Sequence, residues 1–70
     1  MIYFTKYADK KFDILNDHKV YFRKEEIELT LQTPDIRGKI GQLLTAQRNN
    51  IKVVYQKEAD IKRVITFYPV

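Results

Sequence analysis

Hydrophobic and polar positions alternate in two different periods along this chain, and the change falls at Pro34. Before it, Ile2–Phe4 forms a short apolar run that reads as a strand. Thr5 follows where an N-cap belongs, its hydroxyl able to accept from a free amide of the first helical turn. Ala8, Phe12 and Leu15 come next at i, i+4 and i+7, flanked by Tyr7 and Ile14, which predicts one buried helix stripe. Asn16-Asp17-His18-Lys19 breaks the stripe as a turn. A second helix is predicted from Arg23 to Gln32, with Ile27 and Leu31 facing inward and Glu25 and Glu26 at the positive end of its dipole. Thr33-Pro34-Asp35 stops it, because proline disfavours a helical residue before it.

After Pro34 the period is two. Leu43–Arg48, Ile51–Lys57 and Ile61–Tyr68 are rich in Val, Ile, Thr and aromatics, and predict three strands. Asn49-Asn50 suits a tight hairpin turn and Glu58-Ala59-Asp60 a three-residue one. The expected architecture is α+β: a short N-terminal strand, two helices and a three-stranded antiparallel meander, with the helices packed on one sheet face.

Those turns imply a register and therefore two faces. Arg48 is expected opposite Ile51, Ala46 opposite Val53, Tyr55 opposite Arg63, Val53 opposite Ile65 and Ile51 opposite Phe67. One face then collects Leu44, Ala46, Ile51, Val53, Tyr55, Ile61, Ile65 and Phe67, and is apolar enough to receive the helices. The other collects Leu43, Thr45, Gln47, Lys52, Val54, Gln56, Lys62, Val64, Thr66 and Tyr68. An antiparallel sheet commonly leaves one such polar face to solvent.

Charge sharpens this picture. The net charge is +4 over 70 residues, and the excess is confined to the second half. Residues 36–70 carry seven bases against Glu58 and Asp60 alone. No acid lies between Ile36 and Lys57, where Arg37, Lys39, Arg48, Lys52 and Lys57 fall. A local positive field of this kind attracts polyanions. Lysines for phosphates, Tyr68 for stacking and the Gln47 amide for base edges suit single-stranded RNA on the polar face.

RNA cleavage by 2′-hydroxyl attack needs a base, cationic stabilisation of the phosphorane and protonation of the leaving oxygen. Lys52, Lys62 and Tyr68 share the expected polar face and form the candidate catalytic set. Arg37, Lys39, Gln47, Arg48, Lys52 and Lys62 form the candidate nucleic-acid track, with Arg37 and Lys39 in the loop before the meander and Arg48 poised as a bidentate phosphate clamp. Arg63 is expected on the helix side against Tyr55, in a packing or cation–π role. His18, the one histidine, reads as a solvated turn residue.

Length and composition exclude other classes. A chain of 70 residues makes one small domain, spanning 1–70, too small for a deep multi-substrate cleft. Zero cysteines and a single histidine leave no disulfide framework and no transition-metal cluster. No metal or cofactor is expected. No apolar run approaches a membrane span and no signal peptide is visible, so the expected location is the cytoplasm, with no membrane partner.

The order of elements resembles the RelE/ParE toxin superfamily of toxin–antitoxin pairs, and most closely a small branch of it. In that branch a strand precedes Lys-His-Ala at the first helix, a Glu-rich helix ends in a Pro-acid pair, and the chain closes on a Val-x-Thr-x-Tyr-like strand. The corresponding stretches are Thr5-Lys6-Tyr7-Ala8, Lys24-Glu25-Glu26-Ile27, Thr33-Pro34-Asp35, Lys52-Val53-Val54-Tyr55 and Val64-Ile65-Thr66-Phe67-Tyr68-Pro69. Tyr7 replaces the branch's His, and the Arg expected later on that helix is absent, with Lys11 the nearest base. The resemblance implies a toxin-like protein neutralised by an antitoxin and acting on RNA, in its catalytic members as a metal-independent endoribonuclease that cuts mRNA. It equally admits a non-catalytic module, either a ParE-like inhibitor of a protein target or an inactive member. A homodimer through an exposed edge strand fits both.

Overall fold

The computed structural model describes residues 1–70. Its elements are β1 (Ile2–Phe4), α1 (Lys6–Asp17), α2 (Lys24–Gln32), β2 (Ile36–Ile40), β3 (Leu43–Arg48), β4 (Ile51–Glu58) and β5 (Ile61–Pro69). The fold is α+β, with both helices on one face of a single five-stranded sheet ordered β1-β5-β4-β3-β2. The Cα radius of gyration of 11.2 Å matches the ~11 Å of one compact domain this long.

Each helix is started by a local device. The Thr5 hydroxyl oxygen accepts from the Ala8 N–H at 3.2 Å and donates to the Val64 carbonyl at 3.0 Å, so one side chain caps α1 and fastens it to β5. At α2 the Glu26 carboxylate reaches back to accept from the Arg23 N–H at 3.0 Å. Ala8 and Leu15 of α1 are buried, as are Ile27, Thr30 and Leu31 of α2. They meet Ala46, Ile51, Val53, Tyr55, Val64 and Phe67 from the sheet. Phe67 is fully buried, its ring 4.5 Å from that of Phe12 and 6.3 Å from that of Phe22.

The meander has one strand more than the sequence pattern predicts. Residues 36–40, expected as a loop, form β2, which pairs with β3 through the Gly41-Gln42 turn. All five residues of β2 are exposed, and a glycine occupies its centre, so neither burial nor β-propensity marks it in the sequence. An added Cβ at Gly38 would lie 2.9 Å from Thr45 Oγ1, which is why the smallest residue stands there. β1 lies parallel to β5 at the opposite edge, so the first and last strands are neighbours.

The β3–β4 register is as expected, with Arg48 opposite Ile51 and Ala46 opposite Val53. The β4–β5 register is not. The turn consists of Ala59 and Asp60 alone, so Glu58 pairs with Ile61, Lys57 with Lys62 and Gln56 with Arg63. Tyr55 therefore faces Val64 and not Arg63. A bulge then leaves Ile65 unpaired and brings Thr66 opposite Val54, Phe67 opposite Val53, Tyr68 opposite Lys52 and Pro69 opposite Ile51. Two slips of one residue restore the expected faces from Thr66 onward and invert them from Ile61 to Val64. Lys62 and Val64 thus belong to the helix side, and Ile61 and Arg63 to the open side, while Ile65, expected on the helix side opposite Val53, is the bulged residue with no cross-strand partner.

Candidate nucleic-acid interface

The register builds the open face in rows. Ile36, Gln47, Lys52 and Tyr68 stand side by side across β2, β3, β4 and β5. The next row is Gly38, Thr45, Val54 and Thr66, of which Thr45 and Val54 are buried and form a floor. Beyond them Gln56, Arg63 and Tyr3 make a third row over β4, β5 and β1.

Of the three candidate catalytic residues, Lys52 and Tyr68 come together as direct cross-strand neighbours on this face. Lys62 does not join them. Its ammonium, on the helix side, donates to the Leu31 carbonyl at 3.2 Å, at the C-terminal end of α2. That end has no basic residue of its own in its last turn, and an ammonium from β5 satisfies a carbonyl there and favours the negative end of the dipole.

The candidate binding track divides in the same way. Gln47 is on the open face beside Lys52. Arg48 is not a free phosphate clamp at the hairpin: its Nη1 donates to the Thr33 carbonyl at 3.3 Å and to the Thr33 hydroxyl. It therefore ties β3 to the end of α2. Arg37 and Lys39 pair with Ala46 and Leu44, which puts them on the helix side at the outer edge of the sheet. Of the five bases between Ile36 and Lys57, only Lys52 belongs to the open face, because strand alternation sends the others to the opposite side. His18 is the exposed C-cap of α1, as a turn residue should be.

Sequence reasoning misses one pair of residues on this face. The Arg63 guanidinium stands over the ring of Tyr3, 5.8 Å from its centroid, where the expected partner was Tyr55. Arg63 Nη2 lies 3.6 Å from Glu58 Oε2, while its Nε is buried without a hydrogen-bond partner. Tyr3 is half exposed, and with Met1, Thr5, Ile61 and Arg63 it lines an open depression of about 320 Å³. No local signal marks the pair, since β1 reaches β5 only through the closure of the whole sheet.

The open face therefore carries two tyrosines, each beside a cation: Tyr68 with Lys52 and Tyr3 with Arg63. Tyr68 lies five positions after Arg63 on β5, about 15 Å along the strand. Three or more side chains able to ligate a metal ion do not cluster anywhere in the chain, and no helix is long and apolar enough to cross a membrane. Comparison with protein-family models, curated proteins and solved structures finds no match.

Proposed function

We propose that the open sheet face binds single-stranded RNA and that the chain is the toxin-like member of a toxin–antitoxin pair. The observation that carries the reading is the pairing of an aromatic ring with a cation at each end of one face. Rings accept stacked bases without regard to sequence, and the cations beside them meet the phosphates on either side. Gln47 and Gln56, on the open side of β3 and β4, supply amide donors and acceptors for base edges. The resemblance to RelE/ParE toxins supports the same reading, with an antitoxin as the protein partner.

On this face a metal-independent endoribonuclease has Lys52 for phosphorane stabilisation and Tyr68 for proton relay. A second reading, a non-catalytic module of the same fold, is favoured by the structural employment of Lys62 and Arg48 at the end of α2.

The test is fluorescence anisotropy with a single-stranded oligouridylate, with circular dichroism as the check on folding. Loss of one stacking contact is worth about 1–3 kcal/mol. Tyr68→Ala and Tyr3→Ala are therefore expected to weaken binding on the order of tenfold, Lys52→Ala to weaken it and flatten its salt dependence, and Lys57→Ala on the far side to leave it unchanged. Equal affinities across folded variants would falsify the RNA interface. Induced expression in a bacterial host separates the two readings. Growth arrest with mRNA loss that Lys52→Ala/Tyr68→Phe abolishes marks the ribonuclease, and arrest with intact mRNA marks the non-catalytic module.

A further inference from the structure

The exposed edge of the sheet at β2 has the chemistry of a docking site for a second polypeptide. In a two-residue hairpin the closing pair exchanges both backbone hydrogen bonds. The Gly41-Gln42 turn makes Ile40 and Leu43 such a pair, and the Asn49-Asn50 turn does the same for Arg48 and Ile51. Strand alternation then directs the backbone of Ile36, Gly38 and Ile40 toward β3. The N–H and C=O groups of Arg37 and Lys39 face outward from the edge of the sheet. The phosphates of a nucleic-acid backbone only accept hydrogen bonds and leave outward carbonyl oxygens unpaired, whereas an added β-strand satisfies both the N–H and the C=O groups.

The side chains at this edge are sorted by face. Arg37 and Lys39 stand on the helix side, and neither takes part in either ion pair of the chain, Lys24–Asp9 and Arg63–Glu58. Ile36 and Ile40 stand on the open side, both more than half exposed. Self-pairing is poorly suited to this arrangement. Two copies related by a two-fold axis pair antiparallel, and the outward backbone groups match only where Arg37 or Lys39 of one copy faces Arg37 or Lys39 of the other. Each of those registers sets base against base, which destabilises a cross-strand pair.

We propose that β2 receives an extended, acidic segment of another protein by strand addition, and that the segment alternates apolar and acidic residues. Its acids lie opposite Arg37 and Lys39 on the helix side, and its apolar residues cover Ile36 and Ile40 on the open side. This interface meets the Lys52–Tyr68 row only at Ile36, its outermost member two strands away from Lys52, and the peptide titration is read without RNA, so its outcome is distinguishable from that of RNA binding.

The experiment titrates the ¹⁵N-labelled protein with an end-blocked synthetic peptide, Thr-Val-Glu-Val-Glu-Val-Thr. Three further arms use the same peptide with Lys for Glu, the same peptide N-methylated on the residues that pair, and the Arg37→Glu/Lys39→Glu variant. Strand addition predicts shifts confined to residues of β2 and amide exchange at Arg37 and Lys39 slowed about tenfold or more. The double variant is expected to lose about tenfold or more in affinity for the Glu peptide and to acquire binding of the Lys peptide. N-methylation, which removes the donors of the added strand, abolishes binding. The proposal is overturned by shifts centred elsewhere, by equal binding of the N-methylated peptide, or by absence of binding to a folded protein. A dimer of the free chain paired through β2 would overturn it as well.

Discussion

Lys62 and Lys52 show how a one-residue difference in register divides two otherwise similar lysines. Both lie on strands of the meander, but Lys62 is aimed at the Leu31 carbonyl and Lys52 at solvent beside Tyr68. A charge-assisted hydrogen bond that is partly buried has a net worth of about 1 kcal/mol after allowance for solvent. Lys62→Ala is therefore expected to lower unfolding stability by about that amount in urea denaturation and to leave oligouridylate affinity unchanged. An RNA affinity that falls with Lys62→Ala while stability holds would return Lys62 to the binding face. Thr5 is the contrasting case. Its capping role is legible from its place before an apolar-periodic stretch, and the structure adds a second bond to Val64 that local sequence has no means to announce.

The β4–β5 hairpin is the element whose details decide the two faces. Its turn places Ala59 at φ 52°, a left-handed conformation that a side chain with Cβ adopts at a cost of roughly 1–2 kcal/mol. Ala59→Gly relieves that strain at some expense in unfolded-chain entropy. The expected net gain is about 1 kcal/mol, read as a rise in Tm of several degrees for a domain of this size. A lower Tm would mean that the turn is held in another conformation. A three-residue loop and a two-residue turn followed by a bulge use the same residues and expose similar side chains, so composition does not separate them. The bulge at Ile65 is set by the need to bring Val64 and Phe67 together into the core, where both are fully buried. Helices α1 and α2 were readable because their apolar spacing, caps and stop signals all lie within a few residues of one another.

At the scale of the whole molecule the core is small, and Phe67 is its keystone. Replacing a buried phenylalanine with alanine costs about 3–5 kcal/mol, comparable to the total stability of many domains this small. Phe67→Ala is expected to be largely unfolded at 25 °C by circular dichroism, and a cooperative transition near the wild-type Tm would show that Phe12 and Phe22 repack to fill the gap. The sheet also fixes where charge can act. The acid-free stretch from Ile36 to Lys57 is a fact of sequence, but strand alternation leaves only Lys52 on the open face, while Arg48 secures α2 and Arg37 and Lys39 line the outer edge. By itself the sequence determined the α+β class, the helix stripes and caps, the β3–β4 pairing and the polar character of one sheet face. Each of these follows from periodicity or turn chemistry within a short span. The tertiary structure alone decided that residues 36–40 join the sheet, that β1 closes it beside β5, and that Lys62 and Arg63 exchange faces. Those outcomes depend on register and on contacts between residues far apart in the chain, for which the packing of the shared core sets the terms.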